Sequence, residues 1–194
     1  MKKLHVLFAM LMCCLLVVAG CGKKDDDQKV EDQQSENQQA EEKEEPVDID
    51  LEEMMTGIRE AYGENYLPNT PIDDTMLEEM FGLDVSLMEE KVAEMPMIGF
   101  HPDRVILVKA VEGKGGEVEA QLTAMRETLV EDSFQYPANL AKTEASVVVR
   151  NGDYVAFFLV GAPNENMDAS EEDQLTFAQE ETQKAVDIFN SFFE

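Results

Sequence analysis

The sequence predicts an α+β domain, a two-layer, four-stranded, mainly antiparallel sheet with a ββαββα core and extra N-terminal helices. Three observations lead there. Val105-Ile106-Leu107-Val108 is apolar at every position, the pattern of a central strand covered on both sides. Asn151-Gly152 stands between two apolar runs, the strongest short-range hairpin signal. Two long stretches, around residues 118–130 and 171–192, repeat their apolar residues at helical spacing.

The elements follow in order. Leu51, Met54, Met55, Ile58 and Tyr62 share one helical face, and Gly63 ends that helix. Asp74-Thr75 caps a short helix carrying Met76, Leu77, Met80 and Phe81, which Gly82 stops. Residues 86–94 suit either helix or strand, because Leu87 and Val92 are spread among acids. Met95 to Phe100 reads as a strand, and His101-Pro102-Asp103-Arg104 as a turn with proline preset at its second position. After the apolar strand, Gly113, Gly115 and Gly116 break the chain, and a long helix carries Val118, Leu122, Met125, Leu129 and Val130 until Tyr136-Pro137. Ser146 to Arg150 and Asp153 to Val160 then pair across Asn151-Gly152; a two-residue loop sets Arg150 opposite Asp153 and Val149 opposite Tyr154. Residues 163–168 form a loop, Ser170 with Asp173 resembles a capping box, and Leu175, Ala178, Ala185, Phe189 and Phe192 line the last helix. The ββαββα order places two helices on one face of the sheet. The other face needs a second cover, either the N-terminal helical segment or a partner.

Ahead of this domain the chain has another character. Lys2 and Lys3 precede an apolar run from Leu4 to Val18, which falls short of the roughly 20 residues a spanning helix needs. Val18-Ala19-Gly20-Cys21 follows, and this tetrapeptide resembles the lipobox of bacterial lipoproteins, with Val18 where leucine is common. The resemblance implies a signal peptide over residues 1–20, acylation of Cys21, and cleavage just before it. Cys13 and Cys14 would leave with the signal peptide, so the mature chain holds one cysteine and no disulfide framework. Two acyl chains anchor a protein stably where one is marginal. The expected address is the extracytoplasmic face of the cell membrane, with the lipid bilayer as the partner of acylated Cys21.

Residues 21–46 carry the lipidated cysteine and an acidic, glutamine-rich spacer in which Val30 is the one large apolar residue, too little to offset the entropy of ordering. Residues 47–194 are the length of a single domain. They are too few for the paired lobes of a solute-binding receptor.

Met95-Pro96-Met97, the strand ending in Val108-Lys109-Ala110, the helix after Gly115-Gly116, Tyr136-Pro137, and Gly152-Asp153-Tyr154-Val155 occur in a fixed order. In that order and spacing the stretch from Met95 to Val160 resembles bacterial lipoproteins carrying the domain of unknown function 4358. The resemblance implies the same address and fold. It assigns no activity and carries over no functional residue besides Cys21.

The chemistry legible in the residues is sparse. With His5 in the signal peptide, His101 is the one histidine of the mature chain, so a Ser-His-Asp set would have to use it, with Asp103 nearby. A single histidine and no free thiol argue against zinc sites and cysteine catalysis. Gly113-Lys114-Gly115-Gly116 lacks the spacing of a phosphate loop. Asp73-Asp74, Glu78-Glu79, Glu89-Glu90 and Glu171-Glu172-Asp173 are acid pairs of the kind that composition alone produces. No cofactor, metal ligand or catalytic residue is assigned.

Charge excludes more than motifs do. The net charge is −27, and residues 47–194 hold 32 Asp and Glu against 9 Lys and Arg. Such a surface repels nucleic acid and anionic headgroups and attracts cations. The expected function is a non-enzymatic binding or accessory module of the cell envelope, with an envelope protein as its partner. The alternatives are a carboxylate- or His101-dependent enzyme and a weak calcium-binding module.

Overall fold

The computed structural model describes residues 48–98, 101–131, 137–166 and 168–194. The expected signal peptide, Cys21 and the expected spacer lie outside these residues, as do Phe100 and Tyr136. Residues 45–194 form one compact unit. No helix among the described residues is long and apolar enough to cross a membrane.

Five strands and five α-helices build the domain. In chain order they are α1 (Leu51–Tyr62), β1 (Thr70–Pro71), α2 (Asp74–Glu79), β2 (Met88–Met95), β3 (Arg104–Ala110), α3 (Gly115–Glu131), α4 (Pro137–Glu144), β4 (Val147–Asn151), β5 (Tyr154–Leu159) and α5 (Glu171–Ser191). The strands make one open antiparallel sheet in the order β1-β2-β3-β5-β4.

The α+β class stands, and the expected count of four strands is corrected to five. The fifth is β1, two residues long, which pairs Thr70 with Met95 and Pro71 with Glu94. A strand that short leaves no periodicity to read. The strand expected over Met95 to Phe100 lies earlier, at Met88–Met95, with an irregular step between Met88 and Glu90. Glu89 and Glu90 project into water, and Glu94 is held by the Arg59 guanidinium and the Tyr66 hydroxyl at 2.6 and 2.8 Å, so a run that resembled a helix face is accommodated in β2.

The expected pair of helices on one face is also overturned. Val105 and Leu107 of β3 join Ala156 and Phe158 of β5 in one core, closed by α1 and α5 through Met54, Met55, Ile58, Ala185 and Phe189. Ile106 and Val108 join Val155, Phe157 and Leu159 in a second core on the other face, closed by α3 and α2 through Val118, Leu122 and Leu77. Because β3 and β5 are apolar on both sides, each face needs its own helices. The N-terminal segment does supply cover, as α1, and no partner is needed to bury the sheet.

Local chemistry explains the helix ends. The Asp50 carboxylate accepts from Glu52 and Glu53 N–H at 2.8 and 3.2 Å, and Gly63 closes α1 at φ 52. Asp73, one residue earlier than expected, caps α2 by accepting from Met76 N–H at 2.9 Å. Ser170 accepts from Asp173 N–H at 3.1 Å as the capping-box spacing predicts. Pro137 is the first residue of α4 and not merely a terminator; proline suits that position because its missing N–H would be unpaired anyway. Arg126 of α3 donates to the carbonyls of Glu144 and Ser146, at 2.8 and 2.5 Å, holding the end of α4.

The hairpin register differs from the sequence reading by one residue. Asn151 pairs with Tyr154 and Arg150 with Val155, so the turn is Gly152-Asp153 and not Asn151-Gly152. Every residue of β5 is buried, so its apolar pattern does not choose between registers. Two side chains do choose. Asp153 is committed to the loop before α3, and Tyr154 turns into the core beneath α1, where its hydroxyl accepts the buried Ile49 N–H at 3.0 Å.

Candidate functional site: a cleft at the end of the sheet

At the end of the sheet where β3 leaves and β5 begins lies a cleft of about 670 Å³. Its walls come from the end of β3 (Lys109, Ala110), the segment after it (Glu112), the end of β4 (Asn151), the β4–β5 turn (Gly152, Asp153), Tyr154, Glu89 of β2, and Asp48 and Phe193. Two short motifs read from the sequence, Val108-Lys109-Ala110 and Gly152-Asp153-Tyr154, therefore meet at one place. They are neighbours in the sheet: Lys109 is opposite Tyr154, and Ala110 N–H donates to the Asp153 carbonyl at 2.8 Å.

Asp153 organises this corner. Its Oδ2 accepts from Gly113 N–H at 2.9 Å and its Oδ1 from Gly115 N–H at 3.0 Å. Gly115 opens α3, and Lys114-Gly115-Gly116 offers no side chain suited to capping. A carboxylate from the hairpin takes that place and meets the positive end of the helix. Gly115 also packs so closely that a Cβ there would overlap the Gly152 carbonyl oxygen.

Lys109 is the one cationic residue among those lining the cleft. Its ammonium donates to Asp48 at 2.9 Å and lies 3.5 Å from Glu89. The hydrogen bond to Asp48, with the charges of Asp48 and Glu89, raises its pKa above the ordinary lysine value. Nucleophilic and Schiff-base lysines have a lowered pKa, the opposite direction. Tyr154 and Phe193 form the aromatic wall, edge to face with centroids 5.5 Å apart.

The residues singled out from the sequence are dispersed. Asp103 is buried at 1% exposure and accepts from Lys142 Nζ at 2.6 Å through Oδ2, while no donor among the described residues meets its Oδ1. Burial pushes its carboxyl above the usual value, opposed by Lys142 and by the charge of His101. Burial likewise pulls the neighbouring Arg104 guanidinium down to about 10, and that side chain stacks 4.9 Å over the Phe81 ring. This ion pair ties α4 to the start of β3, at the opposite end of the sheet from the cleft. Of the acid pairs, Asp73 caps α2, Asp74 bonds Lys91 at 3.0 Å, Glu89 faces Lys109, and Glu171 to Asp173 form the first turn of α5. No group of three or more metal-ligating side chains converges among the described residues.

Sequence reading missed Phe193 as a neighbour of Lys109 and Glu112, because it follows α5 at the far end of the chain while they lie at and just after the end of β3. Asp153 had a usable signal: a helix opened by glycines without a capping side chain needs a donor's partner from elsewhere.

No curated protein and no solved structure matches the chain. A family model, described as Domain of unknown function (DUF4358), matches residues 61–160, from the end of α1 through β5, and so takes in both motifs that wall the cleft. The chain belongs to the family that carries this domain, DUF4358.

Proposed function

We propose that the protein is a lipid-anchored, extracytoplasmic binding or accessory module of the cell envelope, held to the bilayer through acylated Cys21 and recognising an envelope protein with the cleft at the end of its sheet. The observation that carries the binding half is the make-up of the cleft. It has the size of a ligand site, an aromatic wall and several polar groups, its one amine is engaged by Asp48 and Glu89, and no thiol or imidazole lines it. These features favour binding over turnover. The lipobox order of residues 2–21 supports the anchored half.

Two measurements in cells test the two halves separately. Labelling with a clickable palmitate analogue is expected to mark the wild-type chain and not Cys21→Ser, which should accumulate at precursor length; equal labelling of both removes the anchor. Photo-crosslinkers at Glu112 and Asn151, on the cleft rim, are expected to capture one envelope protein that a probe at Gln179 of α5 does not. Identical captures from all three positions remove the cleft as the docking site.

A further inference from the structure

We infer that the cleft receives an organic cation, an ammonium- or guanidinium-bearing segment of the partner, with Glu112 as its counter-charge. This rests on the binding-module reading and adds the chemistry of what is bound.

The carboxylates of the cleft are not equivalent. Asp48 and Glu89 are taken up by Lys109. Asp153 spends both oxygens on backbone N–H groups of the α3 loop. Glu112 is exposed and enters none of the ion pairs among the described residues. Glu112 is thus the one carboxylate of the cleft without an ion pair or hydrogen bond among the described residues, in a cleft that holds four acids and one lysine.

An anionic ligand is disfavoured. To reach Lys109 it would displace Asp48 and then face Glu89 and Glu112 at close quarters, in a chain whose net charge is −27. A bare metal ion is disfavoured too, since no three ligating side chains converge among the described residues. An organic cation suits both halves of the wall: its charge meets Glu112, and its apolar stem lies along what Tyr154 and the half-buried Phe193 leave uncovered.

The test uses the mature chain, ¹⁵N-labelled, titrated at constant ionic strength with acetyl-trilysine amide and, separately, with acetyl-triglutamate and acetyl-triglycine amides. Saturable shifts are expected at the amides of Glu112, Asn151 and Phe193 with the lysine peptide alone. Glu112→Gln should weaken that binding by about tenfold, the scale of one charge-assisted hydrogen bond. Glu180→Gln removes the same charge from α5, 13 residues from Phe193, and should leave it unchanged. Equal weakening by both variants, or unsaturating shifts spread over the acidic surface, would reduce the effect to bulk charge and overturn the inference. Saturable binding of the glutamate or glycine peptide in place of the lysine one overturns the ligand class while leaving the cleft as a binding site. Silence with all three peptides overturns the cation assignment, and the crosslinking pattern then decides the binding-module reading independently.

Discussion

Asp153 caps a helix that begins 38 residues before it: its carboxylate holds the N–H of Gly115, and the carbonyl of Gly152 fills the space where a side chain at residue 115 would stand. The β4–β5 turn and the start of α3 are therefore one piece of structure. The glycine has a steric reason and the aspartate an electrostatic one.

The two glycines that open α3 should then respond oppositely to alanine. Gly115→Ala forces the backbone away from Gly152 and is expected to cost about 1–3 kcal/mol. Gly116→Ala meets nothing within 4 Å and should be neutral or stabilise by about 0.5 kcal/mol. Asp153→Ala removes the cap and should cost about 1–2 kcal/mol. Urea denaturation of the three variants gives the comparison; equal effects at 115 and 116 would mean that the close approach is relieved at no cost.

A second prediction concerns pH. A buried carboxyl whose pKa is raised holds its proton more tightly when folded than when unfolded. Ionised Asp103 therefore subtracts from stability as pH climbs from the ordinary value of 3.8 through its folded one. Lys142→Met takes away the opposing charge, raises that carboxyl further, and should cost about 3 kcal/mol at pH 7 but less at pH 4.5. Adding Asp103→Asn should abolish the difference between the two pH values. Melting curves at both pH values decide it, and an identical loss at each would mean that Asp103 does not titrate in that window.

The cores supply the third prediction. Phe157 is fully buried between β5 and α3, and Phe157→Ala should cost about 3–5 kcal/mol. Leu140, 47% exposed on α4, should change stability by less than about 0.5 kcal/mol when made alanine. Chemical denaturation of the pair separates buried from exposed apolar residues, and comparable losses would contradict the placement of α4.

What was legible in the residues followed periodicity and punctuation. α1 was readable from end to end because Leu51 to Tyr62 repeat cleanly before Gly63, and α5 because Ser170 announces it. β3 was readable because four apolar residues in a row have no exposed side. Illegible were features decided from afar: β2, whose Glu89 and Glu90 reach water while Glu94 is paired with Arg59 of α1, and β1, which exists as the partner of Met95 and Glu94. The hairpin register belonged to this group as well, since an all-apolar strand fits its neighbour in either phase until Asp153 and Tyr154 are given distant partners. The cleft was half legible. Its two motifs were visible, but their meeting depends on the sheet that sets Lys109 beside Tyr154.

Because β3 and β5 send alternate side chains into opposite cores, neither core owns its wall. Loosening α3 uncovers the reverse side of the strands that α1 and α5 press upon, so an opening on one side propagates to the other and the domain yields as a block. Amides of Val105 to Val108 should then exchange only when the whole unit opens. A body of this kind has little freedom to remodel itself around a ligand, so under the proposed binding role any change of shape at the rim falls to the partner.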